Sequence, residues 1–309
     1  MSKRWKIFFV LLVLATVTVW LSVFSTSSGG LKVISCNIGQ GDASLIIYKN
    51  FEILIDGGPN NKVLDCLSTY MPFWDREIEV VMITHPQADH YTGIISVLDN
   101  YKVDKILANA LNSSNQSYQL LKNKTLLMGI DVINPVRGTS IRSNLIQLDI
   151  LYPTESFLAE NYRQLTAGND SGEVSSASSG SLGAFESKLD PNEFSIISLL
   201  RFGSFKFLFT GDASVKILDD LATTMSESGD NSINYIKIPH HGSKSALSER
   251  FYGAIKIGVA SISVGKNSYG HPRPEILDLL KKHNIQVFRT DELGDIVFET
   301  DGNSIWTDN

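Results

Sequence analysis

Short apolar runs separated by turn residues follow one another along most of this 309-residue chain. Runs rich in Val, Ile, Leu and Phe predict strands, at positions 31–38, 43–48, 51–55, 77–84, 105–108, 145–151, 194–202, 205–209, 233–238, 257–264, 285–290 and 295–300. Helical spacing of apolar residues predicts helices, at 63–70, 92–100, 215–225, 246–252 and 274–283. The closeness of the first three strands, and the turn at Gly203-Ser204, indicate antiparallel hairpins. Hairpins mixed with strand–helix alternation predict an α/β fold of mixed sheets covered by helices.

The N-terminus has a different pattern. Lys3, Arg4 and Lys6 precede an uncharged apolar run at positions 7–24, whose length is close to the roughly 20 residues of a membrane-spanning helix. Together with the Ser/Gly linker after it, this run predicts a signal anchor over residues 1–28; a cleaved signal peptide is the alternative. The basic residues favour a cytoplasmic N-terminus. We therefore expect a single-pass protein of the cell membrane whose domain, residues 29–309, is extracellular, or else a secreted protein.

Composition adds limits on function and on redox chemistry. Hydrophobic residues make up 43% of the chain, which suffices for a sizeable core, and the net charge is -6. An acidic protein is not expected to coat DNA without specificity, although a local basic groove stays open. Cys36 and Cys66 lack the spacing of a zinc site or a disulfide framework. They are predicted to be two buried thiols, with a single disulfide as the alternative for an extracellular domain.

One segment has low complexity. Ser and Gly dominate positions 167–183, where large apolar side chains are almost absent. This composition predicts a flexible surface insertion in the domain at about 167–190.

Metal-ligand residue types follow the predicted strand at 77–84. On an extended segment alternate side chains point the same way, so His85, Gln87 and Asp89 are expected to converge. His90, at the turn into the next helix, can join them. Imidazole and carboxylate groups are ligands for first-row metals, and the spacing H-x-x-x-D-H at a strand end therefore predicts part of a metal site.

Two other apolar strands end in the same way. Asp212 follows the strand at 205–209, where a helix cap is the alternative role. His240 and His241 follow Pro239, which ends the strand at 233–238 because it has no N–H to donate; an ordinary surface turn is the alternative there. Ligands offered from several strand ends of rigid sheets form a preorganised metal site.

These motifs, taken in order, closely resemble the metallo-β-lactamase superfamily and, within it, the hydrolase domain of the ComEC DNA-uptake competence proteins. Beyond the three segments above, the matching residues are Asn37–Ala43 (N-I-G-Q-G-D-A), Ile55–Gly58 (I-D-G-G) and Asn267–Pro272 (N-S-Y-G-H-P). The resemblance covers nearly the whole chain after the N-terminal run. It implies an αββα sandwich with metals at one edge, between the two sheets.

The resemblance also implies roles for individual residues. Asp89 and His90, with either His240 or His241, would bind one metal, and Asp212 would bridge to a second metal held partly by His85. Asp42 and Asp56 would support the ligands rather than bind metal. His271 would contact phosphate or donate a proton; an ordinary turn residue before Pro272 is the alternative.

Two departures concern the second metal. Gln87 stands where the superfamily usually has His and the competence proteins often have Asp, and a neutral amide is a weak ligand. The superfamily's further histidine has no match near positions 192–195. One or two ions are therefore expected, and nitrogen and oxygen ligands without sulfur suit zinc or manganese.

The expected function is that of a membrane-anchored, metal-dependent hydrolase, a phosphodiesterase or nuclease that uses a metal-activated water. The expected catalytic residues are Asp89, Asp212 and His271. Lys244, Lys266 and Arg273 lie beside the ligand motifs and either hold phosphate or are ordinary surface charges. DNA is one candidate among phosphodiester substrates, and no protein partner can be inferred. The alternative function is a binding module of the same fold with weak or no catalysis, as the change at Gln87 suggests.

Overall fold

Two mixed β-sheets face each other at the centre of the domain. The structure, a computed structural model, describes residues 3–25, 29–166 and 180–307. The first sheet has the strand order β15-β14-β1-β2-β3-β4-β5-β6 and the second has the order β13-β12-β11-β10-β9-β8-β7. The strands of the first sheet are β1 (Leu31–Ser35), β2 (Ser44–Tyr48), β3 (Glu52–Ile55), β4 (Glu77–Ile83), β5 (Lys102–Ala108), β6 (Asp131–Ile133), β14 (Ile296–Thr300) and β15 (Ile305–Thr307). Those of the second are β7 (Ser140–Ser143), β8 (Ile146–Tyr152), β9 (Ile197–Phe202), β10 (Phe205–Phe209), β11 (Ser232–Lys237), β12 (Lys256–Ile262) and β13 (Gln286–Arg289).

Helices cover the outer face of each sheet. In chain order the helices are α1 (Lys3–Ser25), α2 (Val63–Tyr70), α3 (Ala88–Asn100), α4 (Gln116–Met128), α5 (Glu155–Thr166), α6 (Val215–Glu227), α7 (Glu249–Ala254), α8 (Pro274–Lys282) and α9 (Thr290–Leu293). Helices α2, α3 and α4 share one apolar cluster with the first sheet, and α6, α7 and α8 share another with the second. A third cluster, which includes Val80, Phe207 and Tyr235, fills the space between the sheets. This layering confirms the predicted mixed sheets covered by helices.

Strand direction gathers one end of each sheet into a common edge. Strands β3, β4, β5 and β6 run parallel, and β1 runs the same way because both it and β3 are antiparallel to β2. Strands β10, β11, β12 and β13 are also parallel. The loops that follow these strands carry the predicted ligand segments, so the topology brings polar residues from both sheets to one place.

The elements with regular patterns were predicted, and several irregular ones were not. The helix over 63–70, the strand over 205–209 and the hairpin at Gly203-Ser204 match the structure. Helices α4 and α5 and strands β6, β7 and β15 were missed. Helix α4 shows why: besides the buried Tyr118 and Leu121, its apolar residues Leu120, Leu126, Leu127 and Met128 are exposed, and they obscure the helical period of the buried positions.

The predicted N-terminal anchor coincides with helix α1. Across the described part of the chain, however, none of the helices combines the length and apolar character needed to cross a bilayer. The membrane anchor therefore stays a prediction.

The predicted insertion at 167–190 falls partly on residues 167–179, which lie outside the described residues. Its C-terminal end packs against the domain. Leu182 and Phe185 are buried, and the Phe185 amide donates to the carbonyl of Ala110 over 3.1 Å.

Cys36 and Cys66 form a disulfide bond, so the expectation of two thiols is wrong. The bond joins the loop after β1 to helix α2 across 30 residues of sequence. Both residues are buried in the cluster between α2 and the first sheet. The spacing of two cysteines could not reveal this pairing, because the contact is made only once α2 has packed on the sheet.

Removing the disulfide is expected to destabilise the domain. For a loop of this length the lost constraint on the unfolded chain corresponds to roughly 3–4 kcal/mol. Urea unfolding of the Cys36→Ala/Cys66→Ala variant, in the same detergent as the wild type, measures the change. A matched Ser44→Ala change, also buried beside β1, controls for the loss of a small polar group. Equal unfolding midpoints for the double variant and the wild type would contradict the expectation.

Candidate metal centre

The polar residues of the site come from the carboxyl ends of strands in both sheets. Asp42 and Asp56 follow β1 and β3, and His85 and His90 follow β4. The second sheet supplies Asp212 after β10 and His241 after β11. All six side chains are buried, with at most 4% exposed. Each therefore needs a partner, since a buried polar group without one costs stability.

Asp56 orients two of the histidines. Its Oδ2 lies 2.9 Å from Nδ1 of His90, and it accepts hydrogen bonds from the amide and the hydroxyl of Thr84, each 2.8 Å long. The Thr84 hydroxyl, which uses its hydrogen on Asp56, lies 3.1 Å from Nδ1 of His85 as an acceptor. Both imidazoles thus keep hydrogen on Nδ1 and turn Nε2 away from Asp56, which is how a carboxylate orients a metal-binding histidine.

A close approach of α3 to the loop after β3 fixes His90. The Gly57 amide donates to the His90 carbonyl over 2.6 Å, and the Gly93 amide donates to the Gly58 carbonyl over 2.8 Å. A Cβ atom on Gly93 would lie 1.9 Å from the Gly57 carbonyl oxygen. Only glycine at this helical position lets the backbones meet, so the D-G-G loop and the start of α3 form one rigid unit.

His241 is oriented from the second sheet. Its Nδ1 lies 2.9 Å from the Ser263 carbonyl, to which it can only donate, so its Nε2 also points away as a lone-pair donor. His240 and His241 both have positive φ, 52° and 53°. Backbone in this region is costly for residues other than glycine and recurs at functional sites. The turn after Pro239 is therefore held in place to present His241.

Four of the ring and carboxylate atoms face one another. The Asp212 Oδ2 atom lies 3.4 Å from His90 Nε2 and 3.8 Å from His241 Nε2, and Asp89 Oδ2 lies 3.4 Å from that same His241 atom. Within the described residues, the Nε2 atoms of His85, His90 and His241 and Oδ2 of Asp212 are buried and make no hydrogen bond. Lone pairs of imidazole and carboxylate that converge without hydrogen-bond partners fit a divalent metal ion.

Asp42 lies closer to the centre than the resemblance implied. Asp42, His90, Asp212 and His241 each offer one ligand atom within 4.8 Å of the others. The contacts of Asp42 nevertheless fall on the far side of the rings, 3.3 Å from Nδ1 of His241 and 3.8 Å from Nδ1 of His90. Of the two acids, Asp89 is the one that faces an Nε2 atom, whereas Asp42 faces the Nδ1 atoms.

Lys237 is a buried residue of this site that the sequence analysis missed. It is 3% exposed, forms an ion pair with Asp42, and donates to the Gly211 carbonyl over 2.9 Å. Its ammonium is also 3.6 Å from Oδ1 of Asp212. The available signal was a lysine at the end of the otherwise apolar strand at 233–238, at a position that the strand pattern makes internal.

The acidic groups hold protons on two histidines when no cation is bound. Burial lowers the pKa of His241, but the carboxylates of Asp42 and Asp212 outweigh burial and raise that pKa to about 9. Asp212 and Asp56 likewise raise the pKa of His90 against the effect of burial. A cation bound between the Nε2 atoms would displace these protons, so metal affinity is expected to rise with pH up to about pH 9.

The pKa of His85 is shifted in the opposite direction. Burial, followed by repulsion from His90, lowers the pKa of His85 to about 3. The ring is therefore neutral at physiological pH and keeps its Nε2 lone pair. The Gln87 side chain, half-buried at the start of α3, lies within hydrogen-bonding reach of His85.

His240 and His271 lie at the entrance to the site. His240 is partly exposed; its Nδ1 is 2.7 Å from the Ser245 hydroxyl and its Nε2 is 3.9 Å from Oδ2 of Asp212. Of the two adjacent histidines, His241 is thus the one that faces the other ligands. The His271 ring lies 5.9 Å from that of His240, and the backbone of His271 is held by the Asn267 amide.

The three basic residues predicted beside the site differ in what surrounds them. Lys244 forms an exposed 2.6 Å ion pair with Glu275, which fits an ordinary surface charge. Lys266 is exposed and Arg273 is half-buried beside the Gly270 turn. Only these last two stay candidates for holding phosphate.

The fold and the site together define the chain as a protein of metallo-β-lactamase fold. The metallo-β-lactamase fold protein YhfI from Bacillus subtilis superposes with a TM-score of 0.53, at 11% identity, over 88% of this chain and 100% of that one. Zn²⁺-bound PqqB from Methylobacterium extorquens gives a TM-score of 0.50, at 10% identity, over 84% of this chain and 97% of that one.

Sequence similarity leads to two curated proteins. The chain is 22% identical over 304 residues to ComE operon protein 3 of Bacillus subtilis, covering 92% of this chain and 35% of that protein. It is 23% identical over 279 residues to Recombination protein 2 of Haemophilus influenzae, covering 86% and 28%. The chain thus spans about a third of the length of these relatives, and no protein-family model matches it. The predicted resemblance to metallo-β-lactamase-fold hydrolases and competence proteins is confirmed.

Replacing Asp56 with Asn is expected to weaken metal binding by about 10- to 100-fold, as is typical when the partner of a ligating histidine is changed. The amide would present a donor to groups that already donate, and His90 would lose its fixed orientation. Competition of zinc between the protein and a chromophoric chelator measures the affinity. Asp65→Asn, an exposed change on α2, is the matched control. An unchanged dissociation constant for Asp56→Asn would show that His90 does not depend on this contact.

Replacing Lys237 with Met is expected to destabilise the metal-free protein by about 3–5 kcal/mol, because Asp42 would keep its buried charge without its lysine. Urea unfolding in a chelator measures the loss. Lys32→Met, at a partly exposed ion pair with Glu299, is the control and should change stability by less than about 1 kcal/mol. Equal losses of stability for the two variants would show that Asp42 does not need the charge of Lys237.

Proposed function

We propose that this protein is a metal-dependent hydrolase of phosphodiesters that is held at a membrane. The observation that carries the proposal is the convergence of His85, His90, His241 and Asp212, whose buried ligand atoms make no hydrogen bond among the described residues. A divalent cation bound between His90, His241 and Asp212 would satisfy their ligand atoms, and His85 would add a second position; nitrogen and oxygen ligands suit zinc or manganese.

Different groups would carry different parts of the reaction. A bound divalent cation would supply Lewis-acid activation of water and stabilise charge that develops on the substrate. Asp89, whose side chain is 35% exposed, reaches the open side of the site and can orient a water or accept its proton. Burial, followed by repulsion from His240, lowers the pKa of His271 at the entrance to about 4, so its neutral ring can donate a hydrogen bond to a phosphate oxygen.

Phosphodiesters, with DNA as one candidate, are the proposed substrates. The similar chains are named ComE operon protein 3 and Recombination protein 2. Lys266 and Arg273, beside the histidine entrance, offer positive charge for phosphate oxygens. Because the net charge of the chain is -6, phosphate groups are expected to be attracted only at this entrance.

Attachment to a membrane outside the cytoplasm is supported by two features. The uncharged run at 7–24 is flanked on one side by basic residues. The Cys36–Cys66 disulfide is of a kind that persists in oxidising compartments and is rare in the cytosol.

The second candidate function is a binding module that has kept the fold. Gln87 favours it, because a neutral amide beside His85 leaves that half of the site with little negative charge. Metal content separates the two functions, since the binding module needs no ion.

Metal analysis joined to a phosphodiesterase panel tests the proposal. The full chain, purified in detergent and supplied with manganese or zinc, should hold at least one ion per chain and cleave single- or double-stranded DNA or bis(p-nitrophenyl) phosphate. Asp212→Asn should lower kcat/KM at least about 100-fold, because it changes a ligand that faces two histidines; Asp65→Asn should not. A metal-loaded chain that cleaves none of these substrates would reject the phosphodiesterase. Well under one ion per chain would favour the binding module.

A further inference from the structure

Large apolar side chains are exposed along the edge of the domain opposite the metal centre. Phe73 is 81% exposed and Trp74 is 52% exposed, and their rings meet edge to face at 4.8 Å. At the end of α4, Leu126 is 78% exposed, Leu127 is 87% exposed and Met128 is 48% exposed. We call these five residues the apolar rim. Single exposed apolar residues are ordinary, but clusters of large exposed apolar side chains mark interaction surfaces.

The topology places both groups on one edge. Helix α2 leads from the carboxyl end of β3 to the amino end of β4, and α4 leads from the carboxyl end of β5 to the amino end of β6. Because β3–β6 are parallel, residues 71–76 and 126–130 lie at the same side of the sheet. The metal ligands follow the opposite ends of these strands. Seven residues of β4, at about 3.3 Å each, put roughly 20 Å between the two edges.

The chain enters the domain at this same edge. Strand β1 runs parallel to β3, so Leu31 lies at the amino end of the sheet, on the side of the apolar rim. Ser25, the last residue of α1, is six residues before Leu31 and therefore within about 20 Å of it. Helix α1 itself exposes large apolar side chains, Trp5, Phe8 and Leu11 among them, each more than half exposed.

Charges beside the apolar rim are largely paired within the domain. Arg76 lies over the ring of Tyr101, and Lys102 pairs with Glu77 and Asp104. Attraction to anionic headgroups is therefore not the main term here. A partner for this surface has to accept aromatic and aliphatic side chains, and a bilayer interface accepts both.

We propose that the apolar rim lies in the surface of the lipid bilayer, so that the metal centre faces away from the membrane at a fixed height. The inference rests on the membrane attachment proposed above and adds a second point of contact to α1. An orientation held at two points would keep the site open toward the aqueous phase, where a long polymer can reach it.

Site-directed labelling in vesicles tests the orientation. All cysteine in the described residues is in the disulfide, so one introduced cysteine can carry an environment-sensitive fluorophore. The labelled positions are Phe73→Cys and Leu127→Cys, with Asn61→Cys, exposed at the other end of α2, as the matched control. The full chain is reconstituted into phosphatidylcholine vesicles with and without doxyl-labelled lipid. The labels at 73 and 127 should lose at least half of their emission to the doxyl quencher, and the label at 61 should lose little.

The outcomes separate this inference from the proposal on which it rests. If the chain floats with the vesicles but positions 73 and 127 are quenched no more than position 61, the orientation is wrong and membrane attachment stands. If the chain does not float with the vesicles, both are wrong. Labels that become shielded without doxyl quenching would indicate a second protein copy on the apolar rim, which also rejects the proposal. Phosphodiesterase activity is a separate readout and decides none of these.

Discussion

The rest of the structure depends on a group of carboxylates that are buried where the two sheets meet. Asp42, Asp56 and Asp212 are almost fully buried, and Asp89 joins them from the open side. Like charges this close destabilise one another unless positive charge is built in or bound. Lys237 supplies one permanent positive charge. The remaining positive charge has to come from protons on histidines or from a metal ion. The carboxylates therefore favour cation binding at this place.

The two-sheet architecture allows this cluster of buried like charges to form, although burying them costs free energy. Asp56 and Asp212 lie just beyond the ends of β3 and β10, Asp42 lies just before β2, and Asp89 lies in the first turn of α3, so the sheets and this helix fix the backbone of each acid. The sheets contribute different halves: Asp56 and His90 come from the first, Asp212 and His241 from the second. The centre is complete only when the sheets pack face to face, so folding and metal binding favour each other.

Much of this could be predicted from sequence because local signals agreed with the fold. Apolar strands followed within a few residues by His85, Asp212 or His241 predicted both the sheets and the polar side chains that the structure brings together. What could not be predicted depends on contacts between segments distant in sequence. The pairing of Cys36 with Cys66 needs α2 in place on the sheet, and the role of Lys237 needs Asp42 brought to it from 195 residues away. The sequence around a lysine in a strand does not indicate whether that lysine forms a buried ion pair.

The same contacts explain why the two halves of the metal centre are unequal. On the side of His241, three acids surround the ligand atoms and raise the pKa of the ring. His85 has two neutral polar neighbours, Gln87 at the helix start and Ser195, and burial and His90 lower the pKa of its ring. The Ser195 hydroxyl lies 3.4 Å from Nδ1 of His85 and accepts a hydrogen bond from the amide of Asp212 over 3.1 Å. Near the place where the superfamily has a further histidine, this chain therefore has a hydroxyl that joins the two sheets instead of a ligand. Since the affinity of an oxygen and nitrogen site rises with its negative charge, we expect a first cation to bind between His90, His241, Asp89 and Asp212, and His85 to add at most a weak second position.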